Sequence, residues 1–77
     1  MIHFLFGGIP LMIIGTVKSY EPTKGWGFIN SPYDGEIFMH TKGIEKSSRH
    51  LIQAGTKVGF VIIPGVKGFQ AAHVKVV

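Results

Sequence analysis

Glycine and proline punctuate this chain so closely that almost no run between them reaches the length of an average helix. There are 11 glycines and 4 prolines in 77 residues, and each cluster of them reads as a turn. Glu21-Pro22-Thr23-Lys24-Gly25 is one, Asn30-Ser31-Pro32-Tyr33-Asp34-Gly35 a second and Pro64-Gly65-Val66-Lys67-Gly68 a third. Between them lie Ile13–Tyr20, Trp26–Asn30, Glu36–His40, Lys57–Ile63 and Gln70–Val77. These runs are rich in Val, Ile and Phe, the composition of strands. Thr41–Ala54 is the one longer connection, with a short helical turn expected around Ser48–Gln53. Short strands in so small a chain predict an all-β fold, a five-stranded barrel rather than a sandwich.

Such a chain forms one domain with a thin core. It has no cysteine, which excludes disulfides and thiolate zinc sites. His3, His40, His50 and His73 lack metal-ligand spacing, so neither a metal nor any other cofactor is expected. Ser47 and Ser48 with His50 could be imagined as a hydrolytic set, but exposed loop serines are common and no catalytic residue is assigned. The net charge of +4 favours an anionic partner.

That charge is unevenly placed, because residues 1–17 carry no Asp, Glu, Lys or Arg. The apolar head lacks the basic start and small-residue cleavage site of a signal peptide. Gly7-Gly8 and Pro10 interrupt it well short of the roughly 20 apolar residues a bilayer span needs. No membrane association is therefore expected, and the absence of cysteine is consistent with the cytoplasm. The head, residues 1–11, reads as an extension to a domain over residues 12–77. Met12 is also a candidate alternative start.

Alternation along the strands separates two faces. Val17, Ile29, Ile37, Met39, Ile44, Val58, Phe60, Ile62 and Val74 build an interior. Trp26, Phe28, Phe38 and His40 then point the other way from adjacent strands, with Gly25 and Gly27 opposite them. Alternating aromatics are ordinarily core. Here the flanking glycines would fill a core poorly, whereas they let a strand coil tightly around a small barrel. Exposed rings of this kind suit bases, which stack on them at about 1–3 kcal/mol each. Lys18, Lys24, Lys42 and Lys67 would surround them and meet phosphates.

Lys24-Gly25-Trp26-Gly27-Phe28-Ile29 resembles the first ribonucleoprotein motif, and Ile37-Phe38-Met39-His40 the second motif of cold-shock domains. The second follows the first without an intervening helix, as in cold-shock domains and unlike RNA-recognition-motif domains. Gly15-Thr16-Val17-Lys18 resembles that family's opening strand and Gly68-Phe69-Gln70-Ala71-Ala72-His73-Val74 its closing one. The resemblance implies a five-stranded antiparallel OB-fold barrel that binds single-stranded RNA or DNA, acts as an RNA chaperone and is not an enzyme. It also implies Lys18, Lys24, Trp26, Phe28, Phe38, His40 and Lys67 as binding residues. Tyr20 stands for a phenylalanine beside the platform, and Phe69 replaces a proline and offers a further ring.

In three places the chain lacks an aromatic that is usual in the family. The opening lysine-tryptophan-phenylalanine reads Lys18-Ser19-Tyr20, the aromatic after the second motif is Thr41, and the long loop offers Arg49 and His50 where an aromatic is usual. The loop carries Lys42, Lys46, Arg49 and Lys57 against Glu45, so Lys42, Arg49 and His50 form an expected basic rim. This balance shifts binding from stacking toward electrostatics.

Val61 and Ile63 alternate with interior residues and, with Ile14 and Val77, predict an apolar outer wall well away from the platform. The head could cover that wall or link two copies as a homodimer. An alternative reading follows, in which the barrel is a protein-interaction or assembly module that uses the head and this wall.

Overall fold

The computed structural model describes residues 5–6, 9–10 and 12–77. Two short strands, β1 (Leu5–Phe6) and β2 (Ile9–Pro10), pair antiparallel with each other. The remaining five are β3 (Ile13–Glu21), β4 (Trp26–Ser31), β5 (Gly35–His40), β6 (Lys57–Gly65) and β7 (Gly68–Val76). They close into a barrel in the order β3-β4-β5-β7-β6. Neighbouring barrel strands are antiparallel except β5 and β7, which run parallel at Phe38↔Gln70 and Met39↔Ala71. No helix of the described residues is long and apolar enough to cross a membrane.

All five expected runs are strands, each shifted by one or two residues at an end. β6 and β7 continue toward each other until Gly65 pairs with Gly68, so the expected turn Pro64–Gly68 shrinks to Val66-Lys67. The long connection holds two 3-10 turns, Thr41–Gly43 and Lys46–Leu51, the second starting before the expected Ser48. Burial explains the difference. Ile44 and Ile52 both belong to the interior cluster, and Ile52 takes an extended backbone (φ −77°, ψ 126°) that ends the turn. Ser48 Oγ accepts a hydrogen bond from the Val76 amide (3.1 Å), fixing this turn against β7.

Each of the nine expected interior residues is buried, and Ile52 and Ala71 complete the cluster. Gly15 and Gly27 sit where strands cross too closely for any side chain. A Cβ on Gly15 would lie 2.7 Å from the Asn30 carbonyl oxygen and 2.9 Å from Phe60 Cε1. One on Gly27 would collide with the Ser19 carbonyl oxygen and lie 2.7 Å from Tyr20 Cα.

Two bulges break the regular alternation. In β3 the register shifts between Val17 and Ser19, leaving Lys18 as the extra residue. In β7 two residues, His73 and Val74, stand opposite the single Phe60. His73 adopts φ 53°, a left-handed conformation in which His is found more often than most residues. The bulge turns Val74 fully into the interior, where it also bridges Ile44.

On the outer face, Met12, Ile14 and Val77 converge over Gly59, whose Cβ would stand 3.2 Å from Met12 Cε and Val77 Cγ1. Ile14, Ile63 and Val77 are exposed as expected. Val61 is not: it is 7% exposed yet lies outside the interior cluster. Its partner Ala72 keeps its strand position on the outer face. The expected docking of residues 2–11 on this wall, and a dimer formed through them, involve residues 2–4, 7–8 and 11, which lie outside the described residues.

Candidate nucleic-acid interface

One face of the barrel is tiled with rings because cross-strand partners share a face. The register Ser19↔Phe28, Phe28↔Phe38 and Phe38↔Gln70 draws a row across β3, β4, β5 and β7. A second row, Glu21↔Trp26 and Trp26↔His40, runs beside it. Phe28 stands 5.9 Å from Trp26 and 6.0 Å from Phe38, edge to face in both cases. Phe38 is tilted against Trp26 at 6.3 Å and against His40 at 6.5 Å. Edge-to-face packing lets the rings brace one another while part of each surface stays accessible. Trp26 is 37% exposed; Phe28, Phe38 and His40 are half-buried.

The four rings line a groove of about 730 Å³, closed on the far side by Val66, Lys67 and Gln70. Lys24 holds its ammonium 5.9 Å from the Trp26 ring centroid, a cation–π placement that keeps a charge at the groove's edge. His40 Nδ1 accepts a hydrogen bond from the Lys42 amide (3.0 Å). The turn that follows His40 thereby fixes the orientation of its imidazole.

Of the residues expected from sequence, Lys24, Trp26, Phe28, Phe38, His40 and Lys67 are brought to this groove. Tyr20 is not. The bulge at Lys18 flips the alternation after it, so Ser19 faces the rings and Tyr20 turns inward opposite Gly27. Tyr20 packs on the interior cluster and donates its hydroxyl hydrogen bond to Thr41 Oγ1 (3.0 Å). Phe69 is exposed but pairs with Pro64 at the end of the hairpin. Alternation gives the groove to its neighbour Gln70 instead. Gln70 and Val66 were not singled out from sequence; pairing of the closing strand with Phe38 is the signal for Gln70, and it is tertiary.

The expected basic rim divides similarly. Lys42 is exposed beside the groove's His40 end. Arg49 is half-buried and donates Nε–H to the Ile44 carbonyl (3.1 Å), which commits it to shaping the loop. His50 is exposed on the Lys46–Leu51 turn, which packs against β7, and does not border the groove. The outer wall is closer to the groove than expected, because Ile63 lines a cleft that shares His40 and Gln70 with it.

Residues 13–77 match the family model of the "'Cold-shock' DNA-binding domain". The chain belongs to the cold-shock domain family. Curated relatives agree over most of its length. The chain is 41% identical over 63 residues to the major cold shock protein CspA of Pseudomonas aeruginosa, covering 82% of this chain and 91% of the relative. It is 44% identical over 63 residues to a cold shock-like protein of Thermotoga maritima, covering 82% and 96%. The major cold shock protein CspA of Bacillus cereus is 36% identical over 64 residues, covering 83% and 96%. The expected resemblance is thus established, and the chain is a nucleic-acid-binding cold-shock protein.

One ion pair lies on the ring-bearing face of this cold-shock domain. Lys18 Nζ pairs with Glu36 Oε2, and Glu36 shares a strand face with Phe38 and His40. Both groups are about half exposed (53% and 45%), so the pair adds little to stability, but it holds a carboxylate beside the rings. Glu36→Gln should tighten oligonucleotide binding. It should also steepen the log–log salt dependence by about 0.7, the increment for one more phosphate neutralised on a single strand. Titrations at several salt concentrations would show this. An unchanged slope would mean that Lys18 does not meet phosphate even when released.

Proposed function

We propose that this domain binds single-stranded RNA or DNA by stacking bases on Trp26, Phe28, Phe38 and His40, with Lys24 and Lys67 meeting phosphates. It acts without catalysis, as an RNA chaperone that keeps strands unpaired. The observation that carries this reading is the cluster of four mutually braced, accessible rings on two adjacent strands, lining a single groove. A soluble barrel gains nothing from exposing such surface unless a ligand covers it. Aromatic faces accept any base, so stacking gives affinity with little sequence preference.

The geometry also favours single strands. Stacking on a protein ring requires a base whose face is free, which a duplex does not offer without unpairing. The loss of the family's tryptophan at Ser19 and of an aromatic at Thr41 removes two stacking surfaces. Each such surface is worth about 1–3 kcal/mol by alanine substitution, so weaker binding than in fuller platforms follows.

The test is a titration of Trp26 emission with a short oligopyrimidine. Emission should quench on binding, and a duplex of equal length should bind far more weakly. Two or three lysine contacts give a salt slope of about −1.4 to −2.1. Equal affinity for duplex, or unperturbed Trp26 emission at saturation, would refute the stacking mechanism.

A further inference from the structure

The aromatic groove does not end at His40. A second cleft of about 450 Å³ opens between the Thr41–Gly43 turn and the outer face of β6 and β7, and His40 and Gln70 line both spaces. Its volume falls within the roughly 300–1,000 Å³ typical of small-ligand sites. The floor includes Ile63, which is 38% exposed, and Ala72; Lys42, Glu45 and His73 stand around it. Among the described residues, neither Lys42 nor Glu45 takes part in an ion pair. The stacking mechanism uses neither Glu45 nor Ile63.

We propose that this cleft receives the nucleotide following those stacked on the platform, and that Glu45 makes it prefer a base bearing an exocyclic amino group. The inference rests on the single-strand reading above. A strand leaving the rings at His40 meets the cleft next, because His40 and Gln70 line both spaces. An apolar floor beside a polar rim suits a base, whose faces are apolar and whose edge is polar. A carboxylate only accepts hydrogen bonds. It pairs with the amino group of cytosine, as it would with that of adenine or guanine, whereas thymine and uracil offer a single N3–H flanked by two carbonyl oxygens that repel the carboxylate. Lys42, on the turn held by its own amide to His40, is placed to meet the linking phosphate and to offset the carboxylate's charge.

The experiment compares an oligothymidine tetramer with the same tetramer extended by one cytosine, thymine or abasic nucleotide at either end, read by Trp26 emission. At one end, cytosine should tighten binding by about three-fold or more over thymine, within the net worth of one hydrogen bond. Glu45→Gln should erase the ratio between cytosine and thymine. The ratio is the readout because removing a carboxylate tightens every oligonucleotide. Ile63→Ser should reduce the cytosine extension to the level of the abasic one while leaving the tetramer's affinity unchanged. Glu45 and Ile63 are both exposed, and thermal melts of the variants would verify folding. Equal gains from all three extensions at both ends, or a cytosine preference that survives Glu45→Gln, would overturn the proposal with the platform reading intact. Failure of the tetramer to bind wild-type protein would instead overturn the single-strand reading, and this proposal with it.

Discussion

Replacing Phe28 and Phe38 together with alanine is expected to cost about 2–6 kcal/mol of single-strand affinity, at about 1–3 kcal/mol for each stacking ring. The weaker end of that range is already about a 30-fold rise in Kd. The two rings touch at 6.0 Å, so the double loss should differ from the sum of the single ones. The barrel should remain folded, because neither ring belongs to the interior cluster. Phe69→Ala is the matched control. That ring is more exposed than Trp26, at 54% against 37%, yet it does not line the groove, and its removal should leave affinity nearly unchanged. Oligopyrimidine titrations of the three proteins, with near-identical circular dichroism spectra as the folding check, would decide the matter. A double variant that binds like wild type, or a Phe69 variant that loses as much, would relocate the interface.

Gly27→Ala should have the largest effect on stability of any one-methyl change in the described domain. The added Cβ meets backbone on the neighbouring strand, the Ser19 carbonyl and Tyr20 Cα, and neither can move without dragging β3 from its register. Overpacking against side chains costs about 1–3 kcal/mol; against fixed backbone the cost should reach the top of that range or pass it. A domain this small has only about 4–12 kcal/mol to lose. Gly59→Ala provides the contrast, since its new methyl would meet the ends of the Met12 and Val77 side chains, which can swing aside. Urea unfolding followed by Trp26 emission should show a fall in midpoint of about 3 M or more for Gly27→Ala, taking a slope near 1 kcal/mol/M, and a small shift for Gly59→Ala. Similar shifts for the two would contradict the close approach of β3 and β4.

The Gly27 contact shows where sequence reasoning stopped. Strict alternation through Trp26-Gly27-Phe28-Ile29 was enough to separate a ring face from an interior face, because a strand has no other way to orient its side chains. It was not enough to say what fills the space opposite the rings. That space is taken by a second strand's backbone, and no local pattern in residues 24–29 encodes the distance to residues 19–20.

The same distinction runs through the site. Trp26, Phe28, Phe38 and His40 were legible because their spacing and the turn at Asn30–Gly35 force two short strands side by side. Lys18, Tyr20 and Phe69 were legible only as residue types. Whether each reaches the groove depends on the bulge after Val17, which flips Tyr20 into the interior, and on the end of the β6–β7 hairpin, which gives Gln70 rather than Phe69 to the rings. Lys18 additionally finds Glu36, 18 residues away, and Arg49 finds the Ile44 carbonyl. Periodicity and turn chemistry act between near neighbours, so the sequence alone determined the strands, the interior and the family. Register, bulges and ion pairs depend on which distant strands the closed barrel places together, and only the tertiary structure decided which of the candidate side chains share one surface.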